Sequence, residues 1–74
     1  MHIMKIMNPS DFGCVIRERR KELGYTQKYI SEFTGLSVSF ISDVENGKST
    51  VEIGKAFELA KLLGLNIEIN ERGE

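Results

Sequence analysis

The sequence predicts a mostly α-helical domain of four helices closed by a short C-terminal β-strand. Three observations carry that expectation. Apolar residues recur at spacings of three and four through residues 11–63; Gly24, Gly35, Gly47 and Gly64 punctuate that run; and the period changes to two after Leu65. Seventy-four residues suit one small domain. A chain of this size buries only about 60% of its unfolded surface, so association with another chain would add needed stability.

Helix 1 is expected from about Asp11 to Leu23. Asn8-Pro9-Ser10 forms a turn that opens it, and Phe12, Val15, Ile16, Arg19 and Leu23 share one inward face. Helix 2 spans about Thr26–Thr34, with Thr26 as N-cap and an apolar stripe at Tyr29, Ile30 and Phe33. Gly35 permits a sharp turn, Ser37 caps helix 3, and Ile41 and Val44 point inward before Gly47 ends it. Two short helices joined by a tight glycine turn form the helix-turn-helix pattern, which presents its second helix to DNA. Helix 4 opens after Gly47-Lys48-Ser49-Thr50, with Ser49 and Glu52 as a capping box and Ile53, Ala56, Phe57, Ala60 and Leu63 inward.

The ends differ in character. Residues 1–9, with three methionines and His2, read as a short arm, frayed or an edge strand. Leu65, Ile67 and Ile69 alternate with Asn66, Glu68 and Asn70, the pattern of a half-buried strand over 65–70, followed by a tail at 71–74. A lone strand leaves unpaired edges, so pairing with the same segment of a second subunit is expected, making these three residues the dimerisation element.

Composition removes several function classes. One cysteine and one histidine supply no metal-ligand set, and Cys14 reads as a small buried thiol. No nucleophile–base pair or phosphate loop is present, so neither enzymatic activity nor a cofactor is expected. No apolar run approaches the roughly 18 residues of a membrane span, which predicts a cytoplasmic protein. The net charge of −1 argues against nucleic-acid binding by charge alone. The distribution is more informative: residues 1–48 hold seven basic and six acidic groups, residues 49–74 three and five.

The residues Ile16-Arg17 and Arg20, Leu23-Gly24-Tyr25-Thr26-Gln27, Gly35-Leu36-Ser37, Ile41 through Lys48, Leu59-Ala60 and Leu63-Gly64-Leu65 together resemble the Xre or Cro-like helix-turn-helix family, with its lambda-repressor-like fold. The resemblance runs without a gap from Phe12 to Ile67. The NPSDF opening of helix 1 and the LNIEI ending look like the HipB-like antitoxin branch, in which a C-terminal strand builds an intersubunit sheet. That resemblance implies a homodimeric repressor of its own operon, bound to a near-palindromic double-stranded operator and partnered by a HipA-like serine/threonine kinase toxin.

It also implies roles by position. Thr26, Gln27 and Lys28 at the start of helix 2, and Asn46 and Lys48 after helix 3, would contact the DNA backbone, where free helix N–H groups favour phosphate, with bracing of the recognition helix the other role open to Gln27. Ser37, Val38, Ser39 and Ser42 would face base edges: serine discriminates modestly and valine can meet a thymine methyl. Many relatives carry Gln, Lys or Arg there, so modest discrimination per half-site is expected. Phe40 is expected to pack sideways, and Asp43, unfavourable near phosphate, to be solvated or salt-bridged. Arg20 and Glu45 would bridge helix 1 to the end of helix 3. The acidic balance and quiet reading face leave a second possibility: a protein-interaction module of the same fold with weak DNA binding.

Overall fold

A computed structural model of the chain describes residues 4–72. His2 and the rest of residues 1–3, with residues 73–74 of the tail, lie outside the described residues. Four helices follow one another: α1 (Pro9–Glu22), α2 (Gln27–Thr34), α3 (Val38–Glu45) and α4 (Ile53–Leu62).

Local chemistry sets each boundary. Pro9 occupies the first turn of α1, where its missing N–H costs nothing, and Asn8 is the N-cap, its side chain accepting from the Asp11 N–H at 2.8 Å. Asp11 answers by accepting from the Met7 N–H at 2.9 Å. Helices α2 and α3 are capped by Thr26 and Ser37, whose hydroxyls accept from the N–H groups of Tyr29 and Phe40 at 2.9 and 3.0 Å. Gly35 ends α2 in the left-handed region at φ +82°, which L side chains adopt only with strain. Helix α4 begins later than the capping-box reading implied. Glu52 is itself the N-cap, accepting from the Lys55 N–H at 2.9 Å, while residues 49–51 form the turn before it.

Ile16, Ile41 and Leu59, one each from α1, α3 and α4, are fully buried and form the centre of the core. Burying each such side chain is worth about 1.5–3 kcal/mol. Ile30, Leu36, Val44, Ala60 and Leu63 complete it, with Phe12, Leu23, Tyr25, Phe40, Val51 and Leu65 packed at its margin. Arg19 fastens α4 to α1, its Nε donating to the Leu63 carbonyl at 2.8 Å, where the last turn of a helix lacks donors of its own.

Several sequence expectations need correction. The described residues contain no β-strand: residues 65–72 carry no ladder hydrogen bonds and follow α4 as irregular chain. The alternation at Leu65, Ile67 and Ile69 fixes which side chains would share a face, but a strand also needs an edge to pair with, and the irregular residues 4–7 supply none. Leu65 instead turns back onto α4, its N–H donating to Ala60 and its side chain joining the core margin, while Ile69 is 95% exposed. In α4 the buried set is Ala56, Leu59, Ala60 and Leu63; Ile53 and Phe57 are exposed. In α2 only Ile30 is buried. Cys14 lies on the solvent side of α1.

Candidate nucleic-acid interface

Helices α2 and α3, with the turn at 35–37, are held by one polar network. Arg20 reaches from α1 in a bidentate grip on Glu45, with Nε to Oε2 at 2.6 Å and Nη2 to Oε1 at 2.9 Å. Its Nη1 donates to the Tyr25 carbonyl at 2.8 Å. Gln27 closes the arrangement from α2, Nε2 donating to Glu45 Oε1 at 3.1 Å. Both charged side chains are withdrawn from water, Arg20 to 12% and Glu45 to 4% exposure. The guanidinium is pushed above its usual range by the hydrogen bond to Glu45; desolvation opposes this and the carboxylate's charge adds to it. One carboxylate at the end of α3 thus fixes the attitude of that helix against both α1 and α2.

The close approach of α1 to α3 depends on a residue that the sequence reading passed over. A Cβ at Gly13 would overlap the Val44 carbonyl oxygen and come within 2.8 Å of that of Glu45. The signal was available. A glycine inside a helix costs about 1 kcal/mol relative to alanine, so its presence there marks a packing reason.

The buried side of α3 is set by Ile41 and Val44. At 100° per residue, Ser39, Ser42, Asp43 and Asn46 fall on the opposite side. Ser37, Val38 and Ser39 at the N-terminal end are exposed, and Ser42, one turn on, is half-buried. The Ser37 hydroxyl is engaged as the cap acceptor. Asn46 Nδ2 donates to Ser42 Oγ at 3.3 Å. Lys48 Nζ stands 3.5 Å from Asp43 Oδ2, an exposed pair that partly neutralises the one carboxylate on this face. Thr26 and Lys28 are exposed at the start of α2; Gln27 beside them is half-buried and directed to Glu45. Phe40 packs on the core margin.

A further feature is an aromatic ladder along the outer side of α2. Tyr25 and Tyr29 have ring centroids 4.8 Å apart; Tyr29 and Phe33 stack nearly parallel at 6.2 Å, and Phe33 is 66% exposed. The spacing of four along α2 brings Tyr29 and Phe33 together, and Tyr25, just before the helix, extends the row; of the apolar stripe expected at Tyr29, Ile30 and Phe33, only Ile30 is buried.

Comparison with known proteins agrees with this geometry. The chain is 37% identical over 70 residues to the uncharacterized HTH-type transcriptional regulator y4mF of Sinorhizobium fredii, spanning 95% of this chain and 92% of that one. Among solved structures, the "HipB-O4 20mer complex" matches with a TM-score of 0.85 at 21% identity, over 96% of this chain and all of the other. The "HipA-HipB-O2-O3 complex" matches with a TM-score of 0.86 at the same identity and coverage. At that identity the likeness concerns the fold. No helix among the described residues is long and apolar enough to cross a membrane. The HTH_3 helix-turn-helix family matches residues 16–70, from the core isoleucine of α1 past the end of α4, and the chain belongs to that Xre-like family of DNA-binding transcription regulators.

Proposed function

We propose that this protein is a sequence-specific repressor that binds a near-palindromic double-stranded operator as a homodimer. The observation that carries the reading is the clamp of Arg20 and Gln27 on Glu45. It holds α3 rigidly while leaving Ser37, Val38, Ser39 and Ser42 without core duties beyond a helix cap. In this reading those four residues meet base edges. Thr26, Gln27, Lys28, Asn46 and Lys48 flank them at the two ends of the motif and meet phosphates, Gln27 through its backbone N–H at the start of α2 because its side chain is held by Glu45. Lys48 exchanges its exposed partner Asp43 for phosphate on binding. A gel shift with the DNA upstream of the protein's own gene is expected to show a complex at low salt, weakening steeply as salt rises because each neutralised phosphate releases counterions. Absence of a shift at micromolar protein would overturn this reading. It would favour instead a protein-interaction module, for which the exposed ladder of Tyr29 and Phe33 supplies a surface.

The second copy is supported by an apolar band. A cavity of about 350 Å³ between the N-terminal arm and α4 is lined by Ile6, Met7, Phe12, Val51, Ile53 and Phe57. Phe57 also lines a shallower hollow with Leu65 and Ile67. Ile53 and Phe57, 66% and 47% exposed, and Ile69 beyond them are large apolar groups that a 74-residue domain gains by covering. Phe57→Asp and Ile69→Asp, both at exposed positions, are expected to keep the helical content and to sediment as monomers with weakened operator binding. A dimer unchanged in both variants would move the interface elsewhere. The fold likeness to HipB in a complex with HipA supports a HipA-like kinase toxin as partner. A kinase-like gene adjoining this one, with co-purification of the two products, is the corresponding test.

A further inference from the structure

We infer that Asn46 biases the hydrogen-bond polarity of Ser42, turning its hydroxyl toward donation so that it favours a hydrogen-bond acceptor over cytosine at one base position. The inference rests on the reading that α3 faces base edges. A serine hydroxyl has one proton to donate and lone pairs to accept with, and left alone it reads donors and acceptors alike. Here Asn46 is fastened to Ser42 twice. Its backbone N–H donates to the Ser42 carbonyl at 2.9 Å, and its side-chain Nδ2 donates to Ser42 Oγ at 3.3 Å.

One of the two lone pairs of Ser42 Oγ is therefore occupied from within the protein, which biases the hydroxyl toward donating outward. Its proton has no partner among the described residues, unlike that of Thr34, whose hydroxyl donates to the Ile30 carbonyl at 2.7 Å and accepts from the Leu36 N–H at 3.1 Å. A hydroxyl oriented this way offers O–H outward, on the side of α3 that also carries Ser39 and Asn46. In the major groove guanine presents N7 and O6, adenine N7 and thymine O4 as acceptors, while cytosine presents only its N4 donor. Ser42 thus discriminates against cytosine at the base it meets. Asn46 acts as a positioning residue, its second Nδ2 hydrogen remaining available for a phosphate.

The polarity can be reversed with little change of shape. In Asn46→Asp the carboxylate can only accept, so the Ser42 proton turns toward it and lone pairs face the groove, where they suit cytosine N4. Duplexes selected by the wild-type protein from a randomised pool at low salt supply the half-site, and each position is then replaced in turn and the Kd measured by fluorescence anisotropy. Wild type is expected to show one position at which cytosine weakens binding about three- to tenfold, the size of one neutral hydrogen bond. Ser42→Ala should flatten that position alone. Asn46→Asp should weaken all duplexes through its added charge yet invert the order of bases at that same position.

The ratios between duplexes are the readout, and they are insensitive to a general loss of affinity. Unchanged base ratios in Ser42→Ala would overturn the inference while leaving DNA binding intact. So would a wild-type preference for cytosine, which would mean the Asn46 amide presents Oδ1 to Ser42. Failure of the wild-type protein to enrich any duplex would instead overturn the DNA-binding reading itself.

Discussion

Glu45→Ala is expected to destabilise the whole domain. The substitution leaves Arg20 withdrawn from water with only the Tyr25 carbonyl as partner, and takes from Gln27 the acceptor that fixes its side chain. Removing one member of a buried ion pair costs about 3–5 kcal/mol, chiefly through the charge left behind. In a domain of this size each kcal/mol moves the melting temperature by about 4–8 °C, so a fall of at least about 12 °C should appear by circular dichroism. Glu45→Gln, which keeps an acceptor in place and loses the charge, should fall less. A melting temperature unchanged in Glu45→Ala would show that the clamp is not what holds α3.

The second large effect is expected at Gly13. At a solvent-facing helix position, Gly→Ala would stabilise by about 1 kcal/mol. Here the sign reverses, because the new methyl meets the carbonyl oxygens of Val44 and Glu45. These are backbone atoms at the end of a helix and cannot rotate aside as a side chain would. Helix α1 must move away from α3, and the bidentate reach of Arg20 is lengthened with it. A loss of about 3 kcal/mol is expected, in the upper part of the range for overpacking, read as a melting temperature lowered by at least about 12 °C. The neighbouring Cys14→Ala, on the solvent side, serves as the control and should melt close to wild type. Equal melting temperatures for the two variants would mean that the helices separate at no cost.

The contrast between these two sites shows what could be read from the chain before its fold was known. The Arg20–Glu45 contact was reached through resemblance, not spacing, since 25 residues separate the pair. The punctuation of α2 and α3 was legible because capping is local: Thr26 and Ser37 reach N–H groups three residues on, and Gly35 supplies its own φ. Pattern alone did not say which side of α4 is buried. Ile53 and Phe57 form one apolar stripe, and Ala56, Leu59, Ala60 and Leu63 another beside it, so helical spacing fits both. Periodicity placed Ala56, Ala60 and Leu63 inward but could not choose between Leu59, which joins Ile16 and Ile41 in the core, and Ile53 and Phe57, which stay exposed. The alternation after Leu65 was misread for a related reason: a strand is a relation between two segments, and one segment's pattern does not supply the other. Of the interface, the exposed positions of Ser37, Val38 and Ser39 follow from their place in α3. The hydrogen bond between Asn46 and Ser42 depends on side-chain placement that composition does not encode.

Arg19 and Arg20 are consecutive in α1, yet they grip different parts of the molecule. Arg19 holds the last turn of α4 through the Leu63 carbonyl, and Arg20 holds the last turn of α3 through Glu45. Successive residues point 100° apart around a helix axis. A single step along α1 therefore ties α3 and α4, the helix bearing the apolar band, to one helix axis. Were two copies joined through that band with α3 toward DNA, as proposed, this step would act as a goniometer. It would determine how far apart, and at what relative twist, two copies of α3 stand, and so which separation of operator half-sites the protein can span.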